Sequence, residues 1–173
     1  NHPFVAMMSN GTSGDINTVD YSQKQAPKRA PGEQIARVAD DVARAAVEAW
    51  KRIEWRSRVP LAMREADLEL GVRRPSTEEV VRAWEIVARA GGAELKGLEQ
   101  IYARETALLA EFPPTVRLKL QAIRIGELGI AAIPCEVFVE IGLAIKQRSP
   151  LRPAFTIELA NGYNGYLPTP EHH

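Results

Sequence analysis

The stretch Leu128-Gly-Ile-Ala-Ala-Ile-Pro-Cys-Glu136 decides the fold of this chain. Its first six residues are wholly apolar, which is typical of a strand buried within a sheet. A helix-like run to about Gln147 follows, so we expect a helix that begins at Pro134-Cys135 or at Glu136. The sequence therefore places a carboxylate, that of Glu136, at a junction between a strand and a helix.

Short apolar or alternating runs predict four further strands around this junction. They are Phe4–Met8, Val59–Val72, Val116–Ile125 and Ala154–Leu159. We expect Phe4–Met8 to be a buried strand and Val59–Val72 to be half-buried, with a bulge near Glu65. Gly126-Glu127 lies between two predicted strands and indicates a hairpin.

Apolar side chains spaced three and four residues apart predict further helices. One extends from Pro31-Gly32-Glu33 to about Ile53. Two more, Ser76–Ala90 and Ala93–Glu111, are separated by two glycines, and the first of them begins with the spacing of a capping box. Because both are highly charged on one side, we expect a helical hairpin, residues 76–111, that lies outside the core.

The order of these elements predicts an α/β fold of the mixed α+β kind, a mixed sheet covered by helices with an outlying helical hairpin. Both ends of the chain stop within predicted features, so we expect residues 1–173 to be an incomplete part of a larger domain. Loops at the carboxyl ends of strands are where open α/β sheets place their sites. Two loops of this kind, Ser9–Asn17 and Asn161–Glu171, are therefore the first places to seek functional residues.

Composition excludes several classes of function. Lys plus Arg and Asp plus Glu number 22 each, so no net charge favours binding to nucleic acid or to an anionic membrane. The single cysteine, Cys135, excludes an internal disulfide and a zinc site built from cysteines. No apolar run reaches the roughly 18 residues of a transmembrane helix. We therefore expect neither a nucleic-acid partner nor a transmembrane segment.

A carboxylate and two phenols carry the candidate chemistry. Glu136 can ligate a metal ion, although a carboxylate at a helix N-terminus also stabilises the helix without any ligand. Tyr163 and Tyr166 lie in a glycine-rich loop, where a phenol can ligate zinc or donate to an oxyanion, and where packing alone also explains the rings. The loop Ser9–Asn17 can cradle an anion through its backbone N–H groups.

Three motifs taken together resemble the neutral, non-lysosomal ceramidase family, and within it a bacterial ceramidase-like branch. They are Phe4-Val-Ala-Met-Met-Ser-Asn-Gly-Thr-Ser-Gly-Asp-Ile-Asn17, Ile130-Ala-Ala-Ile-Pro-Cys-Glu136 and Asn161-Gly-Tyr-Asn-Gly-Tyr166. The resemblance implies that the chain is part of the catalytic domain of a zinc-dependent amidohydrolase. Such an enzyme cleaves the N-acyl bond of ceramide to give sphingosine and a fatty acid.

By motif match, the resemblance implies that Glu136 and Tyr166 are two zinc ligands, with two histidine ligands upstream of residue 1. It also implies that Gly14, Asp15 and Tyr163 contact the substrate. The implied partners are a ceramide-like lipid or another acyl amide, together with the missing parts of the parent domain. The resemblance is compatible with a secreted or periplasmic protein, whereas the chain itself decides no compartment.

Asn17 departs from the family pattern, because Gly-Asp-x-Ser-Pro-Asn places a serine at this catalytic position. An amide is not a hydroxyl nucleophile, so several alternatives stay open. Zinc-bound water attacks while Asn17 orients the substrate; or the protein binds a lipid or glycan without hydrolysis; or it cleaves another amide or an ester. Ser13 is the weaker candidate for a catalytic hydroxyl, since it lies on the other side of Gly14-Asp15.

Overall fold

The computed structural model describes residues 5–23, 28–92 and 94–172. In chain order, its helices and strands are α1 (Glu33–Trp50), β1 (Leu61–Gly71), α2 (Thr77–Arg89), α3 (Gly97–Leu109), β2 (Thr115–Ile125), β3 (Leu128–Ile133), β4 (Glu136–Val137), α4 (Val139–Arg148), β5 (Ala154–Glu158), β6 (Tyr166–Leu167) and a 3₁₀ turn (Pro170–His172).

The strands form a mixed sheet and a small second sheet. The larger sheet has the order β1-β2-β3-β5, and β4 pairs with β6 in a two-stranded sheet. β2 and β3 are antiparallel across a turn in which Gly126 has a φ of 64°, so the predicted hairpin is confirmed. β3 and β5 are parallel, and α4 lies between them in the chain and packs on β5. The predicted mixed α/β fold class is confirmed.

The chain divides into two compact units, residues 1–64 with 121–173 and residues 65–120. In the first unit, β3 and the segment after it supply much of the buried core. The apolar members of this core are Ala132, Ile133, Pro134, Cys135 and Val137. The buried strand predicted at Leu128–Ile133 is therefore confirmed, and burial raises the pKa of the Cys135 thiol above its ordinary value.

In the second unit, α2 and α3 pack against each other through small buried side chains, Ala83, Ala103 and Ala107. The predicted capping box is confirmed: Ser76 Oγ accepts from the Glu79 amide at 3.2 Å, and the Glu79 carboxylate accepts from the Ser76 amide at 2.7 Å. Both predicted helices form, but α3 begins at Gly97 and ends at Leu109. Our start near residue 93 is wrong, because Lys96 is extended (φ −121°, ψ 137°).

α1 and β1 form where the sequence predicts them, yet neither is buried. The apolar face of α1 is open, with Val42 53% and Trp50 60% exposed, and every residue of β1 is exposed. The prediction of a half-buried β1 is wrong, because no other part of the described chain covers its faces. Among the described helices, none is both long enough and apolar enough to cross a membrane.

The predicted first strand, Phe4–Met8, is also wrong over the residues that can be judged. Phe4 lies outside the described residues, and residues 5–8 have no regular structure. Val5 and Met7 are 94% and 95% exposed. A strand needs a neighbour for its backbone N–H and C=O groups, and within residues 5–23, 28–92 and 94–172 no strand pairs with this segment.

Candidate functional site

Glu136 and Tyr166 lie opposite each other in the two-stranded parallel sheet. Glu136 is the register partner of Tyr166, and Val137 is that of Leu167. Paired residues in adjacent parallel strands present their side chains on the same face of the sheet. The structure therefore brings together the two side chains that the sequence motifs singled out, although 30 positions separate them in the chain.

The placement of Glu136 corrects our expectation that it lies in the first turn of a helix. Glu136 belongs to β4, and α4 begins only at Val139. The cause is backbone pairing, since the Glu136 amide donates to the Gly165 carbonyl at 2.9 Å and the Phe138 amide donates to the Leu167 carbonyl at 3.1 Å. Glu136 is therefore carried by a strand and not by the first turn of α4.

The glycine-rich loop before β6 is anchored to the residue that follows β3. Both the backbone amide and the side-chain amide of Asn164 donate to the Pro134 carbonyl at 3.0 Å. Gly165 then adopts a φ of 75°, a backbone conformation that is unfavourable for residues with a side chain. This turn delivers Tyr166 into register with Glu136, which explains the asparagine and glycine of the motif by geometry.

The Glu136 carboxylate acts on both tyrosines of the loop. Its negative charge, together with hydrogen bonding to the carboxylate, raises the pKa of Tyr163 above 10.0. Hydrogen bonding to the same carboxylate, and then its charge, raises the pKa of Tyr166. Both phenols therefore lie near one carboxylate, that of Glu136. The rings themselves are well exposed, at 67% for Tyr163 and 61% for Tyr166.

The predicted substrate-contacting residues Gly14 and Asp15 lie against β4 and the start of α4. The Gly14 amide donates to the Val137 carbonyl at 2.9 Å, and a Cβ on Gly14 would come within 2.6 Å of the Glu136 carbonyl oxygen. The Asp15 carboxylate accepts from the Val139 amide at 2.9 Å, so it caps α4. The loop is thus fixed beside the backbone that carries Glu136.

Ser13 contacts a carboxylate that our sequence reasoning missed. Its hydroxyl donates to Glu158 Oε1 at 2.5 Å and its amide donates to Glu158 Oε2 at 3.1 Å. The hydroxyl proton is therefore engaged in holding the loop. Glu158 is 3% exposed, and it shares the buried face of β5 with Thr156, which is 4% exposed. A charged residue two positions from a buried one in an apolar strand is the signal that would have found it.

Asn17, at the position where the family pattern has serine, makes its side-chain contacts within its own loop. Its Oδ1 accepts from the Val19 amide at 3.1 Å, and its Nδ2 donates to the Tyr21 hydroxyl at 3.1 Å. The first contact is an Asx turn, which stabilises the loop locally. Asn17 is close to Gly14-Asp15 in the sequence, but its side-chain amide stabilises its own loop.

Phe138 lines one side of the Tyr166 ring. The two ring centroids are 6.3 Å apart and the planes meet at 80°, an edge-to-face arrangement. The ring of His172 packs on Phe138 in a similar way, with centroids 5.0 Å apart, and its Nδ1 lies 2.7 Å from Thr169 Oγ1. This aromatic cluster restricts the orientation of Tyr166 relative to Glu136.

The pair formed by Glu136 and Tyr166 fits part of a zinc site. Carboxylate oxygen is an established zinc donor, and the adjacent phenol supplies a second oxygen. A cation between the two would also balance the negative charge that acts on both tyrosines. Residues 5–23, 28–92 and 94–172 contain no group of three His, Cys, Asp or Glu side chains able to hold an ion. A zinc ion bound here would need further ligands, because the pair offers two oxygen donors of the usual three or four ligands.

Comparison with known proteins finds a similar fold among solved structures. No family model and no curated protein matches the chain. Among solved structures, the chain is similar to the neutral ceramidase from Pseudomonas aeruginosa, with a TM-score of 0.51 and 16% sequence identity. The similarity covers 86% of this chain and 29% of the ceramidase chain. At this identity the comparison concerns the fold alone, which is similar to part of a bacterial neutral ceramidase.

Proposed function

We propose that the chain is part of a zinc-dependent amidohydrolase that cleaves the N-acyl amide bond of ceramide-like lipids, giving a sphingoid base and a fatty acid. The observation that carries the proposal is the pairing of Glu136 with Tyr166 in register across β4 and β6. The partial similarity of the fold to a neutral ceramidase supports the same class of reaction. The chain spans 29% of that enzyme, so the activity is proposed for the full-length protein.

Glu136 and Tyr166 would hold the zinc ion, together with histidine ligands that we expect outside this chain. Bound zinc would polarise the amide carbonyl and lower the pKa of a bound water to about 7. The remaining tasks fall to the residues of the chain. Tyr163, whose ring is exposed beside Glu136, can donate its phenolic proton in a hydrogen bond to a substrate oxygen. Gly14 and Asp15 form the adjacent wall of the cleft.

A second candidate function is binding of a lipid or glycan without hydrolysis. The observation that favours it is the position of Asn17, whose amide replaces the family serine and is engaged with Val19 and Tyr21. Ser13 does not supply a substitute hydroxyl, because its proton is donated to Glu158. In the amidohydrolase proposal, attack therefore comes from water rather than from a side chain of this loop.

Hydrolysis of a fluorescent N-acyl-sphingosine by the full-length protein separates the two functions. We expect turnover that a chelator abolishes and added Zn²⁺ restores. Saturable binding of the same lipid by zinc-loaded protein, with no release of fatty acid, would instead support the binding function. A parallel panel of acyl esters and short N-acyl amides identifies the case in which a different bond is cleaved.

A further inference from the structure

Glu158 is a buried carboxylate without a cationic partner in the described part of the chain. It is the last residue of β5 and is 3% exposed, and no lysine, arginine or histidine among the described residues forms an ion pair with it. Burying a carboxylate is costly unless hydrogen bonds replace its water shell. The burial of the Glu158 carboxylate at the end of β5 therefore requires a structural explanation.

Four hydrogen-bond donors replace the water shell of Glu158, two on each oxygen. Oε1 accepts from Asn10 Nδ2 at 2.9 Å and from Ser13 Oγ at 2.5 Å. Oε2 accepts from the Ser13 amide at 3.1 Å and from the Val137 amide at 2.8 Å. An ionised carboxylate is an acceptor only, so it suits a pocket in which every partner is a donor. We call Asn10, Ser13, Val137 and Glu158 the Glu158 network.

The Glu158 network joins three parts of the chain that are far apart in sequence. Asn10 and Ser13 belong to the loop before α1, Val137 belongs to β4, and the Glu158 amide donates in turn to the Asn10 carbonyl at 3.1 Å. Val137 is the residue next to Glu136, and its carbonyl accepts from the Gly14 amide. The carboxylate therefore fixes the spacing between the Gly14-Asp15 loop and the strand that carries Glu136.

We propose that Glu158 is the positioning residue that holds the Asn10–Ser13 segment against β4 and so sets the orientation of Glu136 for the site. The part that concerns zinc rests on the proposed function, whereas the part that concerns loop position does not. Glu158 itself needs no contact with substrate for this role. It acts through Val137 and Ser13, in the way that hydrogen-bond partners behind a ligand orient it and strengthen metal binding.

Replacing Glu158 with glutamine tests whether both side-chain oxygens must accept hydrogen bonds. The –NH₂ group of Glu158→Gln must face either the pair Asn10 and Ser13 Oγ or the two backbone amides. Facing the two backbone amides, the –NH₂ group meets donors only; facing Asn10 and Ser13 Oγ, it finds acceptors only if the Asn10 amide turns over and the Ser13 hydroxyl rotates away from its present bond. In the full-length protein we expect zinc affinity about 10- to 100-fold weaker, measured by competition with a chromophoric chelator. We also expect faster hydrogen exchange of the amides of Ser13 and Val137.

A double variant, Asn10→Asp with Glu158→Gln, supplies the rescue. The new carboxylate at position 10 accepts from the new amide at position 158, whose oxygen still accepts from Ser13 and Val137. Ser13 Oγ, which lies 3.3 Å from Asn10 Nδ2, can then donate to position 10. We expect the double variant to recover zinc affinity and slow exchange relative to Glu158→Gln, and Asn10→Asp alone to recover neither.

A buried variant outside the network serves as the matched control. Ala132→Gly lies in β3, where Ala132 is 4% exposed, and it lowers stability without touching the Glu158 network. The proposal is overturned if Glu158→Gln binds zinc as tightly as the wild type. It is also overturned if Glu158→Gln and Ala132→Gly have the same free energy of unfolding in urea and Glu158→Gln binds zinc no more weakly than Ala132→Gly. It is also overturned if the double variant fails to slow exchange at Ser13 and Val137. Wild-type protein that binds no zinc contradicts the proposed function alone, and the exchange measurements then decide the positioning role.

Discussion

Gly14 lies where a larger side chain has no room. A Cβ there would be 2.6 Å from the Glu136 carbonyl oxygen and 3.1 Å from the Phe138 ring, so β4 or the loop must move to admit it. We expect Gly14→Ala to lower the free energy of unfolding by about 1–3 kcal/mol in urea denaturation. Gly11→Ala is the control, because a Cβ on Gly11 meets no atom within 4 Å. Equal stability of the two variants would contradict the close packing of the loop on β4.

The proximity of Glu136 to Tyr163 and Tyr166 predicts a pH effect in metal-free protein. Both pKa values are raised, so the folded state keeps these protons to higher pH than the unfolded chain, and stability falls as pH rises above 10.0. We expect Glu136→Gln to lower the pH at which two tyrosines ionise, measured by absorbance of tyrosinate. Glu140→Gln, a carboxylate in the first turn of α4, should leave the titration unchanged.

At the scale of residues, the sequence motifs singled out Glu136 and Tyr166, and the structure places the two in register, while their role as ligands stays a prediction. Glu158 was not found, because its importance comes from partners such as Asn10 and Val137 that are distant in the chain. Its own strand predicts only that one face is buried. The charge on that face becomes meaningful once the fold brings four donors to it.

Among the elements, those specified by local chemistry were predicted best. The capping box from Ser76 to Glu79 and the glycine turn of the β2–β3 hairpin depend on neighbouring residues, and both were found. β4 was missed, because a strand of two residues has no periodicity of its own and exists only through pairing with β6. The same pairing moved the start of α4 to Val139.

The cap of α2 supports a prediction at the scale of this element. We expect Ser76→Ala to destabilise the unit of residues 65–120 by about 1 kcal/mol, because one amide at the helix start loses its acceptor. Separately, hydrogen bonds from the backbone and then the side chain of Ser76 hold the pKa of Glu79 below 4.5, so the stabilisation from the ionised Glu79 carboxylate is present above that pH and is lost as pH falls through the lowered value.

Urea unfolding together with exchange rates of the first amides of α2 checks this prediction. Glu78→Gln is the control, since Glu78 lies in the same turn and takes no part in the two hydrogen bonds between Ser76 and Glu79. A Ser76→Ala variant that matches the wild type in both measurements, at neutral and at acid pH, would contradict the role of the cap.

For the whole molecule, the fold class was predictable, whereas the burial of its outer elements was not. Periodicity identified α1 and β1, but a repeating apolar pattern states only which face can be covered. In the described chain the apolar face of α1, including Val38 and Trp50, is open to solvent. Burial depends on what lies opposite an element, and that information is not contained in the pattern of the element itself.

The zinc content of the full-length protein tests the central claim most directly. After dialysis, elemental analysis should find about one zinc ion per wild-type molecule, as a catalytic site holds. We expect Glu136→Gln and Tyr166→Phe each to lose most of this zinc, while the controls Glu140→Gln and Tyr102→Phe retain it. Zinc content equal to that of the wild type in both Glu136→Gln and Tyr166→Phe would contradict the assignment of these two residues as ligands.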